Sequence, residues 1–244
     1  MKKNTNYARR LMFIAMIINV AIPLFGQEKS AESVKTKPNA QKWKFLFDGK
    51  TLDGWKEPED ASASKVKVED GCIVLGQGDL STGIKYVKPF PKTNYEVVYQ
   101  AKRVKGYDFF GAITFPVKDS FCSFVNGGWG GGVIGLSSVN GYDASENETG
   151  SYYSFKDDEW YQFRVCVSDD RITVWVNAVD DKSAEKQEPE IDIPLKDKEI
   201  STRIEVNPYK PLGFTSWVTE GRLRDVKYRE LTQEEIKTIR EKSK

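Results

Sequence analysis

The sequence predicts an all-β fold, an antiparallel sandwich of two sheets with a short helix at its C-terminus. Three observations carry this. Tyr95–Arg103 alternates like a half-buried strand, with Tyr95, Val97, Tyr99 and Ala101 on one face. Tyr161–Ser168 repeats the pattern with Tyr161, Phe163, Val165 and Val167. Short apolar runs are separated by turn residues, which favours hairpins over strand–helix–strand crossovers. Helical signals gather only at the end, where Thr232 and Glu235 form a capping box ahead of Ile236 and Ile239.

The elements follow in chain order. Lys2, Lys3, Arg9 and Arg10 precede the apolar run Leu11–Phe25 and then Gly26-Gln27, the grammar of a signal peptide over 1–26. The run is short for a membrane span, which needs about 20 apolar residues. A secreted or periplasmic protein is expected, with an uncleaved N-terminal anchor as the alternative. Residues 27–41 are rich in Lys, Ser, Ala and Pro without periodicity and read as a disordered linker. The domain is expected over 42–231 and a helical tail over 232–244. Phe45–Trp55 runs from a short apolar strand through two Asp-Gly turns to a Trp anchor. Val66–Val68 and Cys72–Leu75 flank Glu69-Asp70-Gly71 as a hairpin. Phe109–Phe115 is apolar on both parities, as a strand covered on both sides would be. Asp169-Asp170 turns Tyr161–Ser168 into Arg171–Val176, which points Ile172, Val174 and Val176 inward. Leu212–Trp217 and Leu223–Tyr228 close the sandwich.

Composition narrows the chemistry. Net charge is +1, from 37 basic and 36 acidic side chains, and no basic stripe with interleaved aromatics marks a nucleic-acid partner. The chain has no histidine, which removes Ser-His-Asp and Cys-His catalysis and every His-ligated metal site. Proton transfer falls to Asp, Glu, Lys, Tyr or Cys. A bound metal would take oxygen ligands, so Ca²⁺ or Mg²⁺ rather than zinc. Cys72, Cys122 and Cys166 are far apart, within strand-like runs, and read as small buried hydrophobes, with a bridge between two of them left open.

Phe45-Leu-Phe-Asp-Gly-Lys-Thr-Leu-Asp-Gly-Trp55 resembles the opening motif of the 3-keto-disaccharide hydrolase domain family. Asp158-Glu-Trp-Tyr161, the paired strands through Arg171–Asn177, Gly213-Phe214 and Arg224-Asp225-Val226 resemble its later strands. The chain departs from the pattern at Ala178, in place of Gly, and at Tyr161, in place of Asn; a closing His is missing. The resemblance implies a jelly-roll sandwich of the concanavalin A-like lectin/glucanase type. It also implies a secreted carbohydrate-active protein that cleaves the glycosidic bond of 3-keto-glycosides or 3-keto-disaccharides. In such a sugar the carbonyl acidifies the hydrogen at carbon 2. A base removes it, a cation or hydrogen-bond donor holds the enolate, and the oxygen at carbon 1 leaves.

Three segments offer residues for that chemistry. Asn126–Gly132 sets Trp129 among five glycines, where bare backbone admits a sugar and the indole offers it a flat face; a bulged loop capping the sandwich is the competing reading. Asn140–Thr149 crowds Asp143, Glu146 and Glu148 into six positions; repulsion or burial raises the pKa of a base, whereas a solvated loop leaves it ordinary. Arg103 and Asp108 follow the Tyr95 strand, and Arg103 falls on its apolar parity, so it needs a partner or a wet cleft. Glu146 or Asp143 is expected as base, with Asp108 as a further carboxylate and Arg103 or a divalent ion holding the oxyanion. Trp129, Asn126, Glu148 and the outward Trp175 are expected to bind an oligosaccharide or 3-keto-glycoside. A lectin-like module without catalysis, or an interaction protein without a sugar site, are the alternatives.

Overall fold

The computed structural model describes residues 42–59, 64–180 and 188–242. The leader and the linker expected over 1–41 lie outside the described residues. Two antiparallel sheets face each other. The first runs, edge to edge, through β13 (Ile191–Pro194), β12 (Arg171–Ala178), β11 (Tyr161–Val167), β6 (Tyr95–Lys105), β15 (Glu220–Glu230), β4 (Cys72–Leu75) and β3 (Val66–Glu69). The second runs through β10 (Ser151–Tyr152), β9 (Val133–Ser137), β8 (Ser120–Gly127), β7 (Phe110–Val117), β14 (Leu212–Trp217), β5 (Ser81–Tyr86) and β2 (Trp55–Lys56). A two-residue strand, β1 (Lys44–Phe45), adds to β15.

Alternation places the core as the sequence anticipates. Tyr95, Val97, Tyr99 and Ala101 of β6 meet Phe163, Val165 and Val167 of β11 in one apolar cluster between the sheets. Burying such side chains stabilises by about 1.5–3 kcal/mol each. Two tyrosines also bond across the sandwich, since a buried hydroxyl needs a partner. Tyr95 donates to the Pro116 carbonyl at 2.7 Å and Tyr99 to that of Gly111 at 3.0 Å. Among the described residues the three cysteines are free and buried, and burial pushes the Cys122 and Cys166 thiols up to about 12.

The opening motif clasps the two sheets. β1 pairs with β15, and the Leu46 amide donates to the Val226 carbonyl at 2.8 Å. Asp48 Oδ1 then accepts the amides of Lys50 and Thr51, both at 2.7 Å, which turns the chain. β2 pairs with β5 in the other sheet. Trp55, 5% exposed, packs edge-on against Tyr86 and donates its indole N–H to the Leu46 carbonyl at 2.7 Å. The helix, Gln233–Lys242, begins with the expected reciprocal cap, Thr232 amide to Glu235 Oε2 at 2.8 Å and Glu235 amide to Thr232 Oγ1 at 3.2 Å. Its Ile236 joins Cys166 and Leu231 in a small cluster on the outer face of the first sheet. No helix among the described residues is long and apolar enough to cross a membrane.

Candidate functional site

Residues that alternate with the core residues of the second sheet point away from the sandwich. Ser81, Ala112, Ser123, Val125 and Thr215 are such residues, and they line a cavity of about 240 Å³. Phe109, Trp129 and Trp217 give it aromatic walls, and Asp108, Ser137, Arg203, Glu205 and Val206 complete the lining. These groups come from six stretches of chain, and the sheet register brings them together.

Two local devices build the rim. The first is the 3₁₀ turn Ile204–Tyr209, which lies on β5 and β14. It can lie there because Gly83 and Gly213 carry no Cβ; one at either position would stand 2.5 Å from Tyr209 atoms. The turn delivers Arg203, Glu205 and Val206. Arg203 donates to Asp143 at 2.5 Å and to Glu205 at 3.0 Å. The guanidinium holds the Glu205 carboxyl below the usual range. Asp143 also accepts the Ser137 hydroxyl at 3.0 Å.

The second device is the glycine-rich turn after β8. Gly127, Trp129, Gly130 and Gly131 take φ of 87°, 49°, 91° and 105°. A left-handed tryptophan is a strained conformation, which persists only when its surroundings impose it. Here they do. Buried Arg103 donates Nη1 to the Gly131 carbonyl at 3.1 Å and Nη2 to the Phe155 carbonyl at 3.1 Å, and its Nε pairs with Asp157 at 2.5 Å. A Cβ on Gly131 would sit 2.8 Å from Arg103 Nη1. Asp108 braces the other side, accepting the Phe109 amide at 2.8 Å and the Gly130 amide at 3.4 Å. Trp129 thus stands 45% exposed in the cavity wall. Burial pushes the Asp108 carboxyl above its usual range, against the opposing pull of those amides and of Arg103.

The expected residues therefore divide. Asp108 and Trp129 line the cavity, and Asp143 reaches its edge through Arg203 and Ser137. Arg103 does not line it: its buried guanidinium bonds two carbonyls and a carboxylate behind the glycine-rich turn, so it braces the loop instead of facing a ligand. Asn126 is corrected more sharply. It belongs to β8, on the parity of Cys122 and Phe124, and is fully buried between the sheets. Glu148 pairs with Lys198 at 2.5 Å, and Glu146 is exposed; neither lines the cavity. Trp175 lies on the other sheet, half-buried, with the Arg164 guanidinium 4.1 Å from its ring and Ile239 in the same cluster; it lines a separate groove there and not this cavity. Arg203, Glu205, Trp217 and Phe109 were not singled out by the sequence. The only signal for the first two was an Arg-x-Glu ahead of Pro208 and Gly213.

A larger groove, about 620 Å³, lies between the first sheet and the C-terminal helix. Most of its charges are committed to one another. Buried Glu96 bonds Arg164 and Arg229, and Arg229 also bonds Glu235 at 2.9 Å. A mutually satisfied network of this kind holds elements together and leaves little for chemistry. Among the described residues no three Cys or acidic side chains cluster as metal ligands.

The two facing antiparallel sheets define a protein of the concanavalin A-like sandwich class. Within that class the chain belongs to the 3-keto-α-glucoside-1,2-lyase-like domain family, whose model matches residues 42–230. No curated protein sequence matches it. Among solved structures, Crh5 transglycosylase in complex with NAG aligns with a TM-score of 0.50 at 13% identity, over 82% of this chain and 89% of that one. A candidate glycosyl hydrolase from Parabacteroides distasonis aligns with a TM-score of 0.48 at 16% identity, over 78% and 94%. The Ca²⁺-bound exoplasmic/lumenal domain of VIP36 gives 0.49 at 14% identity, over 78% and 84%. At these identities the Crh5 alignment speaks to fold alone.

Proposed function

We propose that the cavity on the second sheet is the active site of a lyase or hydrolase acting on 3-keto-glycosides, with Asp108 as the acid–base group. The observation that carries the reading is the meeting of two carboxylates, Asp108 and the Arg203-bound Glu205, one guanidinium and two tryptophans in a single cavity. Asp108, partly desolvated and held by amides, removes the proton at carbon 2. The electron pair moves into the ring carbonyl, and Arg203 stabilises the resulting enolate oxygen. Collapse of the enolate breaks the bond from carbon 1 to the glycosidic oxygen, which takes the proton back from Asp108. The product is an enone and an alcohol; water adding across the enone completes net hydrolysis. Trp129 and Trp217 hold the pyranose. Asp143 and Glu205 position Arg203, and no step is routed through a divalent ion.

Family membership supports the reaction class, and the place of Asp108 in the cavity favours it over Glu146 as base. Asp108→Asn is expected to lower turnover of a 3-keto-disaccharide by about 10²–10⁴-fold, the range for losing a general base. Trp129→Ala is expected to act mainly on binding. Unchanged turnover in Asp108→Asn, with binding of unmodified glycans lost in Trp129→Ala, would instead identify a lectin-like module. Export is part of the same proposal and rests on the leader's residue pattern. The protein recovered from its native host should begin near Gln27, outside the cytosol; an intact Met1 in the cytosolic fraction would reject it.

A further inference from the structure

The outer face of the first sheet, on the far side of the molecule from the proposed active site, carries two cations set among aromatic rings. A bulge in β15 creates the arrangement. The register against β6 shifts between Arg224 and Lys227, with Asp225 at φ 53°. The extra residue sends Val226 into the core and leaves Arg224 and Lys227 on the same outer face. Arg224 lies 3.9 Å from the Trp160 ring centre and donates Nε to Gln100 at 2.8 Å. Lys227 Nζ lies 5.4 Å from the Trp43 ring centre and 5.8 Å from that of Phe45.

Neighbouring cations on this sheet are neutralised. Lys102 pairs with Asp158, Arg164 and Arg229 with Glu96, and Arg222 with Glu69. Among the described residues, Arg224 and Lys227 pair with no carboxylate. Asp225, exposed at the bulge, bonds neither. Beside them Phe45 is 67% exposed, an apolar ring standing in solvent. Two cations without an ion-pair partner among the described residues thus lie next to an exposed aromatic ring.

We infer that this face is a binding surface for an acidic polysaccharide, a glycan bearing uronate or sulfate groups. The anionic groups meet Arg224, whose guanidinium suits a carboxylate bidentately, and Lys227. The apolar faces of the pyranose rings lie on Phe45 and the edge of Trp43. An acidic peptide satisfies the cations but leaves the exposed ring unused, and a neutral glycan does the reverse. The surface is independent of the cavity chemistry.

Affinity electrophoresis of the full chain through gels containing polygalacturonate, dextran or polyglutamate tests this, together with flotation on vesicles containing anionic lipid. Polygalacturonate is expected to retard the protein, with the effect weakening as salt rises; dextran, polyglutamate and vesicles are expected to hold it far less. The double variant Arg224→Gln/Lys227→Gln should weaken polygalacturonate binding by about tenfold or more, which is about 1.4 kcal/mol. Phe45→Ala should also weaken it, and the double variant should keep wild-type turnover of a 3-keto-disaccharide. No retardation by polygalacturonate overturns the inference. So does equal retention by polyglutamate with Phe45→Ala unaffected, or vesicle binding in its place.

Discussion

Arg103→Met isolates the brace that holds Trp129 in the cavity wall. Methionine keeps much of the apolar stem and removes the guanidinium. Arg103 is 9% exposed, so the two carbonyls it bonds, Gly131 and Phe155, are left without that partner inside the protein. Each unsatisfied buried polar group costs about 1–3 kcal/mol, so the loss should be about 2–6 kcal/mol. Asp157 is 59% exposed and rehydrates, so its pairing adds little. Urea unfolding followed by circular dichroism measures the total. Activity gives a second readout. Removing the positive charge withdraws one influence that lowers the Asp108 pKa. The carboxylate form is then harder to reach, and the acid limb of the rate profile should move to higher pH. A loss within about 0.5 kcal/mol, the range of an ordinary surface change, together with an unmoved acid limb, would refute the brace.

Three further outcomes are expected. Trp55→Ala should cost about 3–5 kcal/mol in the same unfolding assay, because it empties a packed site and strands the Leu46 carbonyl. Glu235 is held down to about 2 from an ordinary 4.5, chiefly by Arg229, so the stability it adds is complete above about pH 4.5 and fades as pH falls toward 2. The melting temperatures of wild type and Glu235→Gln should accordingly converge with acidification; a gap that stays constant contradicts the pairing. Trp129→Ala should weaken substrate binding, read by calorimetry, while leaving the unfolding free energy within about 0.5 kcal/mol of wild type, since the indole is 45% exposed.

Much of the scaffold was legible because strand chemistry is local. The alternation of Tyr95–Arg103, the Asp169-Asp170 turn and the Thr232–Glu235 cap each depend on neighbours within a few residues, and each appears where the pattern puts it. Asn126 was misplaced because the glycines beyond it look like loop, although Cys122, Phe124 and Asn126 share one parity and continue the strand inward. The crowded carboxylates misled for a related reason. Sequence proximity says nothing of direction, and the turn sends Asp143 to Arg203, Glu148 to Lys198 and Glu146 to solvent. Arg203 and Trp217 were invisible as site residues because they meet Asp108 only through the order β8-β7-β14-β5, which a single strand's pattern does not encode.

The most direct test of the proposed chemistry follows the hydrogen at carbon 2. The protein is incubated in D₂O with a 3-keto-disaccharide protonated at that position, and the released sugar is examined by NMR against an enzyme-free control for background exchange. Proton abstraction by Asp108, followed by elimination and water addition, predicts deuterium at carbon 2 of the product in the wild type, and neither product nor exchange above control in Asp108→Asn. Release of a product that retains its original hydrogen at carbon 2 would contradict the account, since direct displacement at carbon 1 leaves that bond intact.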